Sequence, residues 1–122
     1  VKHCLEETWG WQLIDEVDAT ITDEMWESDN PIYDKEVFGS YYMMQDLRET
    51  LLWYSDVKIN SITLVGLCTD ICVISNALLL KTALPEVPII VDASCCAGVT
   101  PESHKNALAA MKMCQIEIVN EE

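Results

Sequence analysis

The sequence is poor in basic residues and in long apolar runs. Its 122 residues include 7 Lys and Arg against 21 Asp and Glu, a formal net charge of −14. A chain this acidic repels the phosphates of nucleic acid and the anionic headgroups of lipid surfaces. No apolar run approaches the roughly 20 residues that a membrane span needs, and no charged-then-apolar leader opens the sequence. These features argue against nucleic acid and membrane as partners and predict a cytoplasmic location.

Linkers, internal repeats and low-complexity tracts are also missing, while 50% of the residues are hydrophobic. The sequence therefore predicts a single domain over residues 1–122 with its own core. Six cysteines are present, but disulfide scaffolds are usually loop-rich and poor in aliphatic runs such as ISNALLLKTAL, so we expect reduced thiols. The chain opens VKHC, with neither an initiator Met nor a helix cap. This opening predicts the carboxyl-terminal part of a larger domain.

Short β-branched apolar runs predict strands at SITLVGL (61–67), VPIIVDA (87–93) and QIEIVN (115–120). None of them alternates cleanly between apolar and polar residues, which is typical of strands buried on both faces of a parallel sheet. PIYDKEV (31–37) is a weaker candidate strand.

Helical periodicity follows these runs at SYYMMQDLRETLLWYS (40–55), DICVISNALLLKTAL (70–84) and TPESHKNALAAMKMC (100–114). The last segment has a Thr cap and Pro at its first helical position. WGWQLIDEV (9–17) indicates a short helix or a lid, and TITDEMWESDN (20–30) a loop. The alternation of strands and helices predicts an α/β fold, a three-layer α/β/α arrangement with a mostly parallel sheet.

GLCTDICV (66–73) joins a predicted strand to the helix that follows it. Ligands of such sheets bind at the carboxyl ends of the strands, where the chain turns into a helix. Thr69 or Asp70 can cap the helix, which puts Cys72 in its first turn. The N–H groups and the dipole of a helix start favour an anion, so a thiol placed there is biased toward the nucleophilic thiolate. The same N–H groups can bind an oxyanion.

Other interpretations of these cysteines are weaker, with one exception. A zinc site needs a second short Cys spacing, which Cys95, Cys96 and Cys114 do not supply. A Cys68–Cys72 disulfide is disfavoured by the strand-to-helix turn between the two residues. A buried structural thiol is the exception, because free Cys is among the most buried residue types. From the residues alone, both a nucleophile and a core thiol stay open.

The pattern G-x-x-T-D-x-C-V after a buried strand resembles the nucleophile signature of the isochorismatase-like cysteine hydrolases, which include the nicotinamidases. Three other stretches resemble segments of the same family in the same order: HCLEETWGWQL (3–13), DKEVFGSY (34–41) and VDASCCAGVTPESHKNALAAM (91–111). The resemblance covers nearly the whole chain.

The resemblance implies a role for each matching residue. Cys72 is the nucleophile and Lys35 the second member of an Asp-Lys-Cys triad, since an ammonium near a thiol favours the thiolate. The backbone N–H groups of Cys68 and Cys72 form an oxyanion hole, with a cis peptide bond before Cys68. His3 matches a ligand of a divalent metal such as zinc. Asp70 is expected to have a structural role.

The implied reaction is hydrolysis of the C–N amide bond of a small molecule, of the nicotinamide-to-nicotinate type, through an acyl-thioester on Cys72. In the family, the triad aspartate lies in a stretch that nothing in this sequence resembles. We therefore expect this chain alone to be weakly active or inactive. The resemblance also implies that the sheet lacks its first strands, one of which is central. The absence of a central strand leaves apolar edges that recruit partners, which predicts a homo-oligomer.

Alternative functions remain within and outside this family. Isochorismatases and other small-amide hydrolases share the fold, so the substrate is open. A non-catalytic assembly module is the main alternative from another class. A flavodoxin-like binding domain is the weakest alternative, because no Gly-rich phosphate loop follows any predicted strand.

Overall fold

Residues 1–28 and 31–122 are described by a computed structural model of the chain. The chain divides into two units, Val1–Tyr33 and Asp34–Glu122, which are described separately below. Within the described residues, no helix is long and apolar enough to cross a membrane. The single domain over residues 1–122 stays a prediction.

The amino-terminal unit is built from short local elements. It contains a 3₁₀ turn at Trp9–Trp11, helix α1 at Asp15–Asp18 and helix α2 at Asp23–Ser28. The prediction of a loop over 20–30 is wrong where α2 forms. The Thr22 hydroxyl accepts a hydrogen bond from the Met25 N–H at the start of this helix. The last two residues of that predicted loop, 29 and 30, lie outside the described residues. No side chain in residues 1–27 and 31–33 is fully buried.

The carboxyl-terminal unit is organised around a parallel sheet. Its strands are β1 at Ile62–Leu67, β2 at Ile89–Ala97 and β3 at Glu117–Val119, in the order β1-β2-β3. Both pairings are parallel, which confirms the predicted α/β fold class with a parallel sheet. The register between β1 and β2 shifts between Leu64 and Gly66, and Gly66 has a φ of +125° that favours glycine.

Two predictions about strands are wrong. β1 is not buried on both faces: Val65 is 58% and Leu67 69% exposed, while alternate residues are half-buried, so one face of this strand is open to solvent. The segment 31–37 forms no strand. Its first residue, Pro31, has no N–H to donate to a sheet, and the Lys35 ammonium bonds within the same segment, to the Val37 carbonyl.

Three longer helices follow the predicted pattern. They are α3 at Tyr41–Trp53, α4 at Ile74–Ala83 and α5 at Pro101–Met113. The Ser40 hydroxyl accepts from the Met43 N–H at 3.3 Å and caps α3. The Thr100 cap and Pro101 open α5 as predicted, and Ser103 completes a capping box. The predicted helix at 70–84 differs at its start, because a π-helical turn at Thr69–Val73 precedes α4.

The core forms where α4 and α5 pack against β2 and against each other. Its largest fully buried apolar side chains are Leu80, Ile89, Val91, Leu108 and Met111. Each contributes about 1.5–3 kcal/mol when removed from water. This packing fixes α4 and α5 relative to the sheet, and with them the turn that carries Cys72.

Candidate active site

The site is built on the turn that leaves β1. The peptide bond between Leu67 and Cys68 is cis, as the resemblance implies. The Cys68 carbonyl then accepts hydrogen bonds from the N–H groups of Ile71 and Val73, both at 3.1 Å. These bonds close the π-helical turn and place Cys72 in the last turn before α4, with its side chain half-buried. The thiol is therefore held on rigid backbone and is still accessible to a small molecule.

Lys35 lies beside this thiol. Its Nζ is 3.7 Å from Cys72 Sγ and donates to the Val37 carbonyl at 3.0 Å. The fold thus brings together two residues that are 37 positions apart in the sequence. An ammonium at this distance stabilises the negative charge of a thiolate by Coulomb attraction. The arrangement is suited to nucleophilic chemistry at sulfur.

Asn76 connects the two chain segments that carry these residues, and sequence reasoning missed it. Its amide nitrogen donates to the Cys72 carbonyl at 2.9 Å and to the Phe38 carbonyl at 3.4 Å. Its amide oxygen accepts from the Ser40 N–H at 2.8 Å. Asn76 follows Cys72 by four residues, so helical spacing is the one signal that could have placed it over the Cys72 turn.

Gly39 lies in the segment that Asn76 holds. A Cβ at residue 39 would come within 2.5 Å of Leu79 Cδ1 on α4. Real Cβ contacts are not this short, so any larger residue would push the Leu79 side chain away or lift the segment from the helix. Glycine therefore permits the close approach of the Lys35 segment to α4.

The other end of the turn is anchored to α5. Thr69 is fully buried, and its Oγ1 is 2.7 Å from Nδ1 of His104. The Asp70 carboxylate accepts from the Val99 N–H at 3.2 Å. A hydrogen bond from the Ser103 side chain, followed by that from the Val99 backbone, lowers the pKa of Asp70 below the ordinary 3.8. This geometry agrees with a structural role for Asp70.

A second glycine, Gly98, is needed where the turn is attached to α5. A Cβ on Gly98 would lie 2.9 Å from both Cβ and the backbone N of His104. The loop that enters α5 therefore passes against the first turn of the helix at a distance that only glycine permits.

Cys68 and Cys72 are the two residues whose N–H groups are expected to form the oxyanion hole. Cys68 follows the cis bond and opens the π-helical turn, and Cys72 lies within that turn. Their role in binding an oxyanion stays a prediction.

The six cysteines are all free thiols and differ in their surroundings. Cys4, Cys95 and Cys114 are exposed, whereas Cys68, Cys72 and Cys96 are half-buried. Burial raises the pKa of the Cys96 thiol above its ordinary value of 9.0. Cys96 is therefore protonated at neutral pH, and it has no role in the proposals that follow.

The predicted metal ligand His3 lies in the amino-terminal unit. It is exposed, and its Nδ1 is 3.4 Å from Cys4 Sγ. Throughout residues 1–28 and 31–122, no group of three or more His, Cys, Asp and Glu side chains is arranged to hold a metal ion. Metal sites in proteins usually require three or four such ligands. The described residues therefore do not fit a metal around His3 by themselves.

Comparison with known proteins gives a consistent family and fold. A family model described as the isochorismatase domain matches residues 1–122. A nicotinamidase from Staphylococcus aureus is similar at 28% identity and a TM-score of 0.58, over 78% of this chain and 61% of that one. A nicotinamidase from Bacillus subtilis is similar at 22% identity and a TM-score of 0.67, over 97% and 62% of the two chains.

A pyrazinamidase from Pyrococcus horikoshii, solved in complex with zinc, shares the fold at 20% identity and a TM-score of 0.67. That match covers 98% of this chain and 62% of the other. This chain thus spans about three fifths of the length of these solved structures. A comparison with curated protein sequences found no significant match.

Proposed function

Because this chain belongs to the isochorismatase family, we propose that Cys72 and Lys35 form the reacting centre of a cysteine amidohydrolase. The substrate we propose is a small amide of the nicotinamide type. The observation that carries the proposal is the 3.7 Å contact between Lys35 Nζ and Cys72 Sγ on a turn at the carboxyl end of a parallel strand. The likeness to a nicotinamidase at 28% identity supports the choice of substrate class.

The proposed reaction begins with the thiolate of Cys72, which the neighbouring ammonium of Lys35 stabilises. The sulfur attacks the amide carbonyl carbon and forms a C–S bond, and the carbonyl oxygen takes up negative charge. N–H groups of Cys68 and Cys72 donate to that oxygen under this proposal. The carbonyl re-forms as the C–N bond breaks, the leaving nitrogen takes a proton from solvent water and departs as ammonia, and an acyl-thioester remains on Cys72.

Release of the acid requires a water molecule and a group that removes its proton. The resemblance assigns that group to an aspartate in a stretch that these 122 residues do not match. We therefore expect the chain by itself to form the acyl-thioester and to hydrolyse it slowly or not at all. Isochorismatase-type or other small-amide substrates are the alternatives within the same chemistry.

A burst experiment tests the acylation step without relying on turnover. The 4-nitrophenyl ester of nicotinic acid carries the same acyl group, and its leaving group departs without a proton. We expect the purified chain to release about one equivalent of nitrophenolate, with a nicotinoyl adduct on the peptide that contains Cys72.

Two variants make the burst experiment decisive. Cys72→Ala should abolish both the burst and the adduct, while Cys114→Ala, at an exposed cysteine, should retain both. An adduct spread over several cysteines, or a burst that survives Cys72→Ala, would refute the proposal. Steady release of ammonia from nicotinamide that depends on Cys72 would refute the narrower expectation that the chain alone is weakly active or inactive.

The exposed residues of β1 favour a second candidate, a non-catalytic assembly module. Val65 and Leu67 lie exposed on a strand at the edge of the sheet, and such edges recruit further strands. Whether or not catalysis occurs, we propose self-association through this strand. Sedimentation velocity of the native chain and of Val65→Lys tests it, since a charge on the edge should lower the sedimentation coefficient. A monomeric native chain would reject self-association.

We further propose a cytoplasmic location for the protein. Its six cysteines are all free, and unpaired thiols on this scale are typical of a reducing compartment. Mass spectrometry of the protein purified from cells in the presence of an alkylating agent tests this, with six modified thiols as the expected result.

A further inference from the structure

The side chain of Asn76 uses both its amide nitrogen and its amide oxygen at the junction between the segments that carry Cys72 and Lys35. A primary amide has two N–H donors and a carbonyl oxygen that accepts. The donors of Asn76 bond to the carbonyls of Cys72 and Phe38, and the acceptor receives the N–H of Ser40. One planar group therefore ties the turn that carries Cys72 to the segment that follows Lys35.

The position of the Lys35 ammonium depends on that segment. Lys35 Nζ donates to the Val37 carbonyl at 3.0 Å, and Val37 directly precedes Phe38. The lysine side chain is exposed, so packing does little to hold it. Ser40 is only 6% exposed, which makes the bond from its N–H to Asn76 a firm point of attachment. Asn76 thus attaches to helix α4 the stretch of backbone to which the Lys35 ammonium is hydrogen-bonded.

We infer that Asn76 is a positioning residue that sets the separation of Lys35 Nζ from Cys72 Sγ. The inference rests on the proposed function, because the pair matters only if Cys72 acts as a thiolate. Coulomb attraction falls as the charges separate, and water enters the gap and screens them. Without the amide of residue 76, the segment 37–40 loses two of its attachments to α4, and the ammonium no longer remains beside the sulfur.

Two substitutions at residue 76 separate its contacts. Asn76→Ala removes all three hydrogen bonds. Asn76→Ser retains a donor for the carbonyl four residues back, as Ser75 and Thr82 do on the same helix. A serine side chain is too short for the contacts to Phe38 and Ser40. If the crossing bonds are the ones that matter, both variants should behave alike.

The measurement is the rate at which iodoacetamide alkylates Cys72 between pH 6 and pH 9, followed on the Cys72 peptide by mass spectrometry. At neutral pH we expect both variants to slow alkylation about tenfold, because the ammonium no longer stabilises the thiolate. In a Lys35→Met background, neither variant should slow it further. Thr82→Ala, the matched control, removes a bond to the Leu78 carbonyl on the same helix and should leave the rate unchanged.

The outcomes distinguish this inference from the function on which it rests. If Lys35→Met slows alkylation and the folded Asn76→Ser variant does not, Asn76 has no positioning role and the inference is overturned. If Lys35→Met leaves the rate and pH dependence unchanged, the Lys35–Cys72 pair itself fails and the proposed function fails with it. Circular dichroism identifies variants that unfold, and Asn76→Ser preserves the helix bond so that a folded protein is tested.

Discussion

The two ends of the π-helical turn at Thr69–Val73 are held by different kinds of contact. At the first end, the fully buried Thr69 bonds to His104 on α5. At the other end, Cys72 lies beside the exposed Lys35. The buried contact belongs to the interior, where a lost partner is costly, and the exposed contact belongs to the surface, where charges contribute little to folding. One short turn therefore combines an attachment that supports the fold with one that supports the proposed reactivity.

The largest effect on stability is expected at the buried end. Thr69→Val keeps the shape of the side chain and leaves His104 without its partner, which should lower the free energy of unfolding by about 1–3 kcal/mol. Urea denaturation measures the loss. Thr63→Val on the exposed face of β1 is the matched control and should change stability by less than about 0.5 kcal/mol. Equal losses in the two variants would contradict the assignment of Thr69 as an anchor.

The exposed end should show the opposite behaviour. Lys35→Met should leave the free energy of unfolding within about 0.5 kcal/mol of the native value, because the side chain is exposed. It should nevertheless slow alkylation of Cys72 at neutral pH about tenfold, since the thiolate loses its neighbouring charge. Lys81→Met removes a lysine that bonds to the Pro85 carbonyl at the end of α4 and serves as the control. If Lys35→Met lowered the free energy of unfolding and left the alkylation rate of Cys72 unchanged, the exposed end of the turn would support the fold and not the reactivity of the thiol.

The smallest expected effect is the change in stability at acidic pH that comes from Asp70. Hydrogen bonds from Ser103 and Val99 lower the pKa of Asp70 in the folded state below its ordinary 3.8. A lowered pKa contributes stability that is present above the unfolded value and is lost as the pH falls through the folded value. Asp70→Asn should therefore be less stable than the native chain at pH 6, and the difference should shrink below pH 4. Thermal unfolding from pH 2 to pH 6 measures it.

Ser103→Ala provides a second test of the acid prediction. It removes the largest contribution to the lowered pKa of Asp70, so it should reproduce part of the effect of Asp70→Asn. Adding Ser103→Ala to Asp70→Asn should cause less further loss at pH 6 than it causes in the native chain. Fully additive losses would show that the two residues act independently.

Local signals predicted the framework of the carboxyl-terminal unit. Capping residues placed the starts of α3 and α5, and β-branched runs placed the strands, because both features act within a few residues of the chain. The spacing in GLCTDICV located the turn that carries Cys72. The contact between Cys72 and Lys35 was expected from the family resemblance, since no local pattern relates residues 37 positions apart.

The parts that sequence reasoning missed depend on tertiary contacts. The π-helical turn has the same apolar spacing as an ordinary helix start, and its contact with α5 joins Thr69 to His104, 35 positions away in the sequence. Asn76 resembles any polar residue on a helix until the segment 37–40 packs beside it. Helix α2 was missed although its Thr22 cap is a local signal, because the surrounding acidic residues resembled a solvated loop.

The tight passage of Gly98 beside His104 has a consequence for protein engineering. A single methyl group at residue 98 would meet the backbone of α5 itself, which, unlike a flexible side chain, cannot turn aside. The helix would have to tilt, carrying the imidazole away from Thr69 and disturbing Met111 farther along the same helix. The geometry around the thiol can thus be loosened from the loop before α5, while the Lys35 side chain that contacts the thiol is left intact.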